Sequence, residues 1–146
     1  MRAGAIAIGC VLVSSALWCA DLQQVRAEPN LEKRAKLALE NAGVQLEAAR
    51  TAYQKDDTSG VTAATTEMQE SVDLAYSSLN DTHKDPRKSP KWFKYAEIQT
   101  RNLLRKLDTF QHDMSFQDRP MLDKAREDIQ QVHEKLLLGL MEGRPK

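Results

Sequence analysis

Residues 89–114 carry the feature that most constrains the fold, because apolar side chains recur there at alternating spacings of three and four. Such a repeat, held over three heptads, is typical of a helix that packs almost parallel or antiparallel to its neighbours. Ser89 and Pro90 predict the start of this helix, since serine caps helices and proline suits the first helical position. The recurring positions are Phe93, Ala96, Thr100, Leu103, Leu107, Phe110 and Met114.

Three further segments show the same period and similar length. The first follows Asn30, a predicted N-cap, and the second spans about 59–80, with Thr58 or Ser59 as its predicted cap. The last spans about 120–142, after the cap-like sequence Ser115–Asp118. Short links between helices of equal length predict an all-α fold, an up-down-up-down antiparallel four-helix bundle. A helical hairpin that dimerises into a bundle, and hence a homodimer, is the alternative.

The first helical segment is rich in alanine, and Gly43 interrupts it. A glycine inside a helix costs about 1 kcal/mol relative to alanine. Close approach of a neighbouring helix is the only reason for this glycine that the sequence offers.

The N-terminus resembles a secretory signal peptide. A positive start at Met1-Arg2 precedes an apolar run over residues 3–20, and Val25 and Ala27 place small residues before Glu28. We therefore predict a signal peptide over residues 1–27 and a bundle domain over residues 28–146. The protein would then be exported, to the periplasm or outside the cell. An uncleaved N-terminal anchor is the alternative.

Both cysteines, Cys10 and Cys19, lie inside the predicted signal peptide. The mature chain would therefore contain no cysteine, and its apolar core rather than disulfides would hold it together. The whole chain has 21 basic and 21 acidic residues. Because the chain lacks the excess of basic residues that is typical of nucleic-acid-binding proteins, we predict no nucleic-acid partner.

No catalytic motif or metal-ligand spacing is present in the sequence. The interpretation is a non-enzymatic protein with no cofactor. One alternative is a haem or metal carrier, in which His133 and Met68 would hold a b-type haem in the bundle core. A partly exposed histidine and a core methionine are the competing interpretation of these two residues.

Charge is segregated along the chain. Residues 84–106 contain eight basic residues against Asp85 and Glu97, whereas the second predicted helix contains Glu67, Glu70 and Asp73 and no basic residue. One interpretation is that these helices are neighbours with complementary charges. The functional interpretation is a basic patch that binds an anionic partner, such as an acidic protein, a cell-wall polymer or lipid headgroups. The predicted partner-binding residues are Lys84, Arg87, Lys88, Lys91, Trp92, Lys94 and Tyr95.

The segments KDPRKSPKWFKYAEIQTRNLLRKLD and MSFQDRPMLDKAREDIQQVHEKLLLGLM are similar to exported all-helical bacterial proteins of uncharacterised activity. This resemblance covers the last two predicted helices and includes no catalytic motif. It implies export and an all-helical fold, and it implies no activity.

Overall fold

The computed structural model describes residues 22–144, and all regular structure in that range is helical. Most of the predicted signal peptide, including Cys10 and Cys19, lies outside the described residues. The four long helices of the prediction are present, with a short helix before them and a 3₁₀ turn, Arg119–Leu122, before the last. The helices are α1 (Leu22–Arg26), α2 (Leu31–Gln54), α3 (Thr58–Asp81), α4 (Lys91–Asp113) and α5 (Asp123–Glu142).

Of the four predicted helix starts, one is confirmed and three are wrong, including that of the last helix, which begins at Asp123 without a side-chain cap. The Asn30 side chain accepts a hydrogen bond from the Lys33 N–H at 2.9 Å and caps α2, as predicted. At α3 the cap is Asp57, one residue before the predicted Thr58 or Ser59, because its carboxylate reaches the Gly60 N–H at 2.9 Å. At α4, Pro90 precedes the first helical residue and no side chain caps the helix.

The repeat over residues 89–114 faces the core, as predicted. All seven of its positions are buried, and the most polar of them, Thr100, donates its hydroxyl to the Ala96 carbonyl oxygen at 2.9 Å. This internal bond satisfies the hydroxyl, so a threonine fits an otherwise apolar seam.

The four long helices pack together within one chain. The most extensive packing joins α2 to α3, and α4 packs along α5. The α2–α3 pair contacts the α4–α5 pair in two places: α2 packs against α4, and α3 packs against α5. Arg50 on α2 contacts Asp113 on α4 at 2.9 Å, and Gln69 on α3 contacts Asp128 on α5 at 2.6 Å. Consecutive helices α3 and α4 have a smaller interface than any of these pairs.

The short helix α1 belongs to the same core. Leu22 and Val25 are 5% and 2% exposed and pack in the cluster formed by the long helices. The connection to α2 is also fixed, since the Arg34 guanidinium donates to the Glu28 carbonyl oxygen at 2.8 Å. The predicted boundary after Ala27 therefore falls between core residues, and cleavage there would remove Leu22 and Val25.

Gly43 is not explained by close packing. A Cβ atom built on Gly43 would meet no heavy atom within 4 Å outside its own helix backbone. Ala38 and Ala42 on the same helix, by contrast, are fully buried. At Gly60 there is no room for a side chain, because an added Cβ would overlap the Asp57 carboxylate that caps α3.

Candidate functional site

The predicted partner-binding residues lie at one end of the molecule, on the link between α3 and α4 and on the first turns of α4. The link turns back at Asp85, whose carbonyl oxygen accepts the Ser89 N–H at 2.9 Å and whose carboxylate accepts the Arg87 N–H at 2.9 Å. Pro86 within it is buried against the end of α5 near Gly139. This anchoring leaves the basic side chains of the link on the surface. We call the following residues the basic end: Lys84, Arg87, Lys88, Lys91, Trp92, Lys94 and Tyr95.

The two aromatic residues of the basic end contact each other edge to face, with ring centroids 5.8 Å apart and planes at 79°. The Lys91 ammonium lies 5.1 Å from the centroid of the Trp92 ring. Burial, followed by the negative charge of Glu40, raises the pKa of the Tyr95 phenol. Trp92 and Tyr95 thus form a half-buried aromatic pair beside exposed cationic side chains.

The basic residues of this end differ in whether a carboxylate pairs with them. Lys84 is neutralised by Glu32 on α2. Within residues 22–144, no carboxylate lies within 4 Å of the charged atoms of the other basic side chains, all of which are exposed. Cations without an acidic partner give the surface around them a positive potential. The basic end therefore presents four such cations, on Arg87, Lys88, Lys91 and Lys94.

A shallow groove of about 580 Å³ crosses this surface. Four of the predicted residues line it, Lys84, Lys91, Trp92 and Lys94, together with Ser89, Pro90 and Glu32. Arg87, Lys88 and Tyr95 lie outside the groove. The structure thus brings three lysines and one indole ring to a single depression, with one carboxylate at its edge.

The acidic helix does not neutralise this surface. Glu70 on α3 lies 3.8 Å from Arg26 of α1, and Glu67 accepts a hydrogen bond from Asn41 of α2 at 3.1 Å. In the part of the chain that the structure describes, no ion pair joins α3 to α4. The expected charge complementarity between these two helices is therefore absent, because α3 packs mainly on α2 and α5.

His133 and Met68, the predicted haem ligands, lie on different helices. The His133 Nε2 lies 3.0 Å from the Glu97 carboxylate of α4, and both side chains are largely buried. Met68 on α3 is completely buried in the apolar core. Because Glu97 contacts Nε2, haem ligation through that nitrogen would require this contact to break. The haem alternative stays a prediction.

Residues 22–144 contain no group of three or more histidine, cysteine, aspartate or glutamate side chains that could hold a metal ion. None of the helices in this range is both long and apolar enough to cross a membrane. Comparison of the chain with protein-family models, with curated proteins and with solved structures gave no match.

Sequence reasoning missed a second feature beside the basic end. A cavity of about 330 Å³ opens between the ends of α3 and α5, the start of α4 and the link. Its polar lining includes Lys135 and Arg144, which are far from the link in sequence. The one sequence signal was the apolar run near Leu137 and Leu138, which exceeds what one buried face of a helix requires.

Proposed function

We propose that this protein is a non-enzymatic, exported helical-bundle protein that binds an anionic partner of the cell envelope through its basic end. The partner would be an acidic protein or an anionic polymer. The bundle would be the up-down-up-down antiparallel arrangement that follows a signal peptide, with the basic end at the turn between its second and third helices.

The observation that carries this proposal is the set of four exposed cations without acidic partners, placed beside the half-buried Trp92. Surface lysines that only aid solubility are usually interspersed with carboxylates. Here Glu32 is engaged by Lys84, and the first turn of α4 contains no acidic residue. A basic groove lined in part by the Trp92 ring suits an anionic surface that also offers apolar contact.

Two features support a binding role over catalysis. The shifted pKa values within residues 22–144 belong to scattered groups, Glu28, Asp73, Tyr95 and Asp118, and none of these carboxyls lines the basic groove. Catalytic groups usually cluster where their pKa values are displaced together. The basic groove is also open and shallow, which suits a macromolecular surface better than a small substrate.

The test is a pull-down from envelope extract of the host, at low and at high salt. Wild-type protein is compared with Lys88/Lys91/Lys94→Gln and with a control, Lys55/Lys106/Lys124→Gln. The control removes the same charge from exposed lysines outside the basic end. We expect wild type and control to capture the same species at low salt and to lose it at high salt, since exposed charges are screened beyond about 8 Å at physiological ionic strength. Equal capture by all three proteins, or capture that resists salt, would contradict the proposal.

A further inference from the structure

The cavity beside the basic end has an apolar interior. Phe93 and Leu136 form buried parts of its wall, and the buried Pro86 ring closes one side. Leu138 extends this wall to the surface, where it is 53% exposed. At about 330 Å³, the cavity is at the small end of the range that protein ligand sites occupy.

The mouth of the cavity is cationic. Lys135 is held over the Tyr76 ring, 5.8 Å from its centroid, and Arg144 contacts the His83 ring nitrogen at 3.4 Å. No carboxylate within the described residues forms an ion pair with either side chain, although Asp73 acts on Lys135 at longer range. Lys84 also lines the cavity, but Glu32 neutralises it.

One carboxylate, Glu142, lies at the same mouth. Two unneutralised cations against one carboxylate leave a surplus of one positive charge, which matches a ligand with a single negative group. Cations beside an apolar wall bind an anionic head while the wall takes an apolar tail. A neutral ligand would leave the cations without this gain, and a cationic ligand would be repelled.

We infer that this cavity is a binding site for a small anionic amphiphile, such as a medium-chain carboxylate, with its head at Lys135 and Arg144 and its tail along Leu138, Leu136 and Phe93. This site is separate from the basic groove. Lys84 is the one residue that lines both.

The inference is tested by calorimetric titration of the purified protein with sodium decanoate below its micelle concentration. Decanol and decyltrimethylammonium have the same tail with a neutral and a cationic head, and they serve as ligand controls. We expect one decanoate site per chain and much weaker binding of the other two. Equal affinity for all three ligands, or the absence of saturable decanoate binding, would overturn the inference.

Variants separate the head site from the tail site. Lys135→Gln and Arg144→Gln should each weaken decanoate binding about tenfold, the usual loss for one charge-assisted hydrogen bond. Leu138→Asn should weaken it through the tail. Because Leu138 is half exposed, this variant should stay folded, which circular dichroism checks. Lys124→Gln, an exposed lysine of α5 outside the cavity, should bind as wild type does. A loss in Lys124→Gln equal to that in Lys135→Gln would contradict a specific site.

The decanoate test and the test of the basic end give independent answers. None of Lys88, Lys91 and Lys94 lines the cavity. The triple glutamine variant of the basic end should therefore keep its affinity for decanoate while it loses the envelope partner. Loss of decanoate binding in that variant would show that the inferred head site is placed wrongly.

Discussion

The Tyr53 hydroxyl, in the last turn of α2, donates a hydrogen bond to the Asp118 carboxylate at 2.9 Å, although α3 and α4 separate these two residues in the sequence. The same hydroxyl accepts the Ser115 N–H at 3.0 Å, and the Ser115 hydroxyl donates to Asp118 at 2.7 Å. One tyrosine therefore fixes the link between α4 and α5 onto the end of α2. The predicted capping box at Ser115 and Asp118 is replaced by this three-residue cluster.

Tyr53→Phe should destabilise the protein, measured as a lower urea midpoint. Hydrogen bonds from Ser115 and then from Tyr53 lower the pKa of Asp118. A lowered carboxyl pKa adds stability that is present above the unfolded-state pKa and is lost as pH falls through the folded-state pKa. The difference between wild type and Tyr53→Phe should therefore shrink under acid. A difference that grows toward low pH would contradict this account.

Gly43→Ala should stabilise the protein by about 1 kcal/mol, because alanine is the better helix former and the added methyl group meets open space. Gly60→Ala is the matched comparison on the next helix. It should destabilise, since its methyl group would displace the Asp57 cap. Urea unfolding of both variants measures the two effects. A loss of stability in Gly43→Ala would show that this glycine has a role that its surroundings do not reveal.

Val25→Ala should cost about 1–2 kcal/mol, the usual loss for removing two buried methyl groups. Gln24→Ala, on the exposed side of α1, is the control and should have little effect. A chain that begins at Glu28 should be less stable than one that begins at Leu22. If the protein isolated from its host is found by mass spectrometry to begin at Glu28 and is as stable as the chain that begins at Leu22, α1 does not contribute to the core.

Asp73→Asn should stabilise the protein slightly at neutral pH. Partial burial, followed by the negative charge of Asp128, raises the pKa of Asp73. A raised carboxyl pKa means that the folded state binds its proton more tightly, so stability increases as pH falls through that pKa. The wild type should show this increase, and Asp73→Asn should show less of it. Glu127→Gln, an exposed carboxyl of α5, provides the control for loss of one surface charge.

The haem prediction is tested by an absorbance scan of the purified protein after addition of haem. A Soret band that disappears in His133→Ala would support it. Because Glu97 already contacts the His133 ring, Glu97→Ala should strengthen any such binding by freeing Nε2. A Soret band that persists in His133→Ala would show that His133 is not the ligand.

The all-helical class and the buried seam of α4 were predictable from the sequence, because helix periodicity is local and every three-four position repeats the same requirement. The Asn30 cap was predictable for the same reason, since it depends on residues only three positions apart. The cluster of positive charge around the α3–α4 link is equally a property of neighbouring residues. These features need no knowledge of which helices meet.

The tertiary structure decided which helices are neighbours. It placed α3 against α2 and α5, which left the acidic residues of α3 without pairs on α4. The tertiary structure also placed Lys135 and Arg144 around the cavity that Lys84 lines. It brought His133 into contact with Glu97. It placed Leu22 and Val25 in the core. Periodicity assigns each helix an apolar face but not the partner of that face, since several pairings bury similar area. Contacts between distant segments depend on that choice, and so does every site built from them.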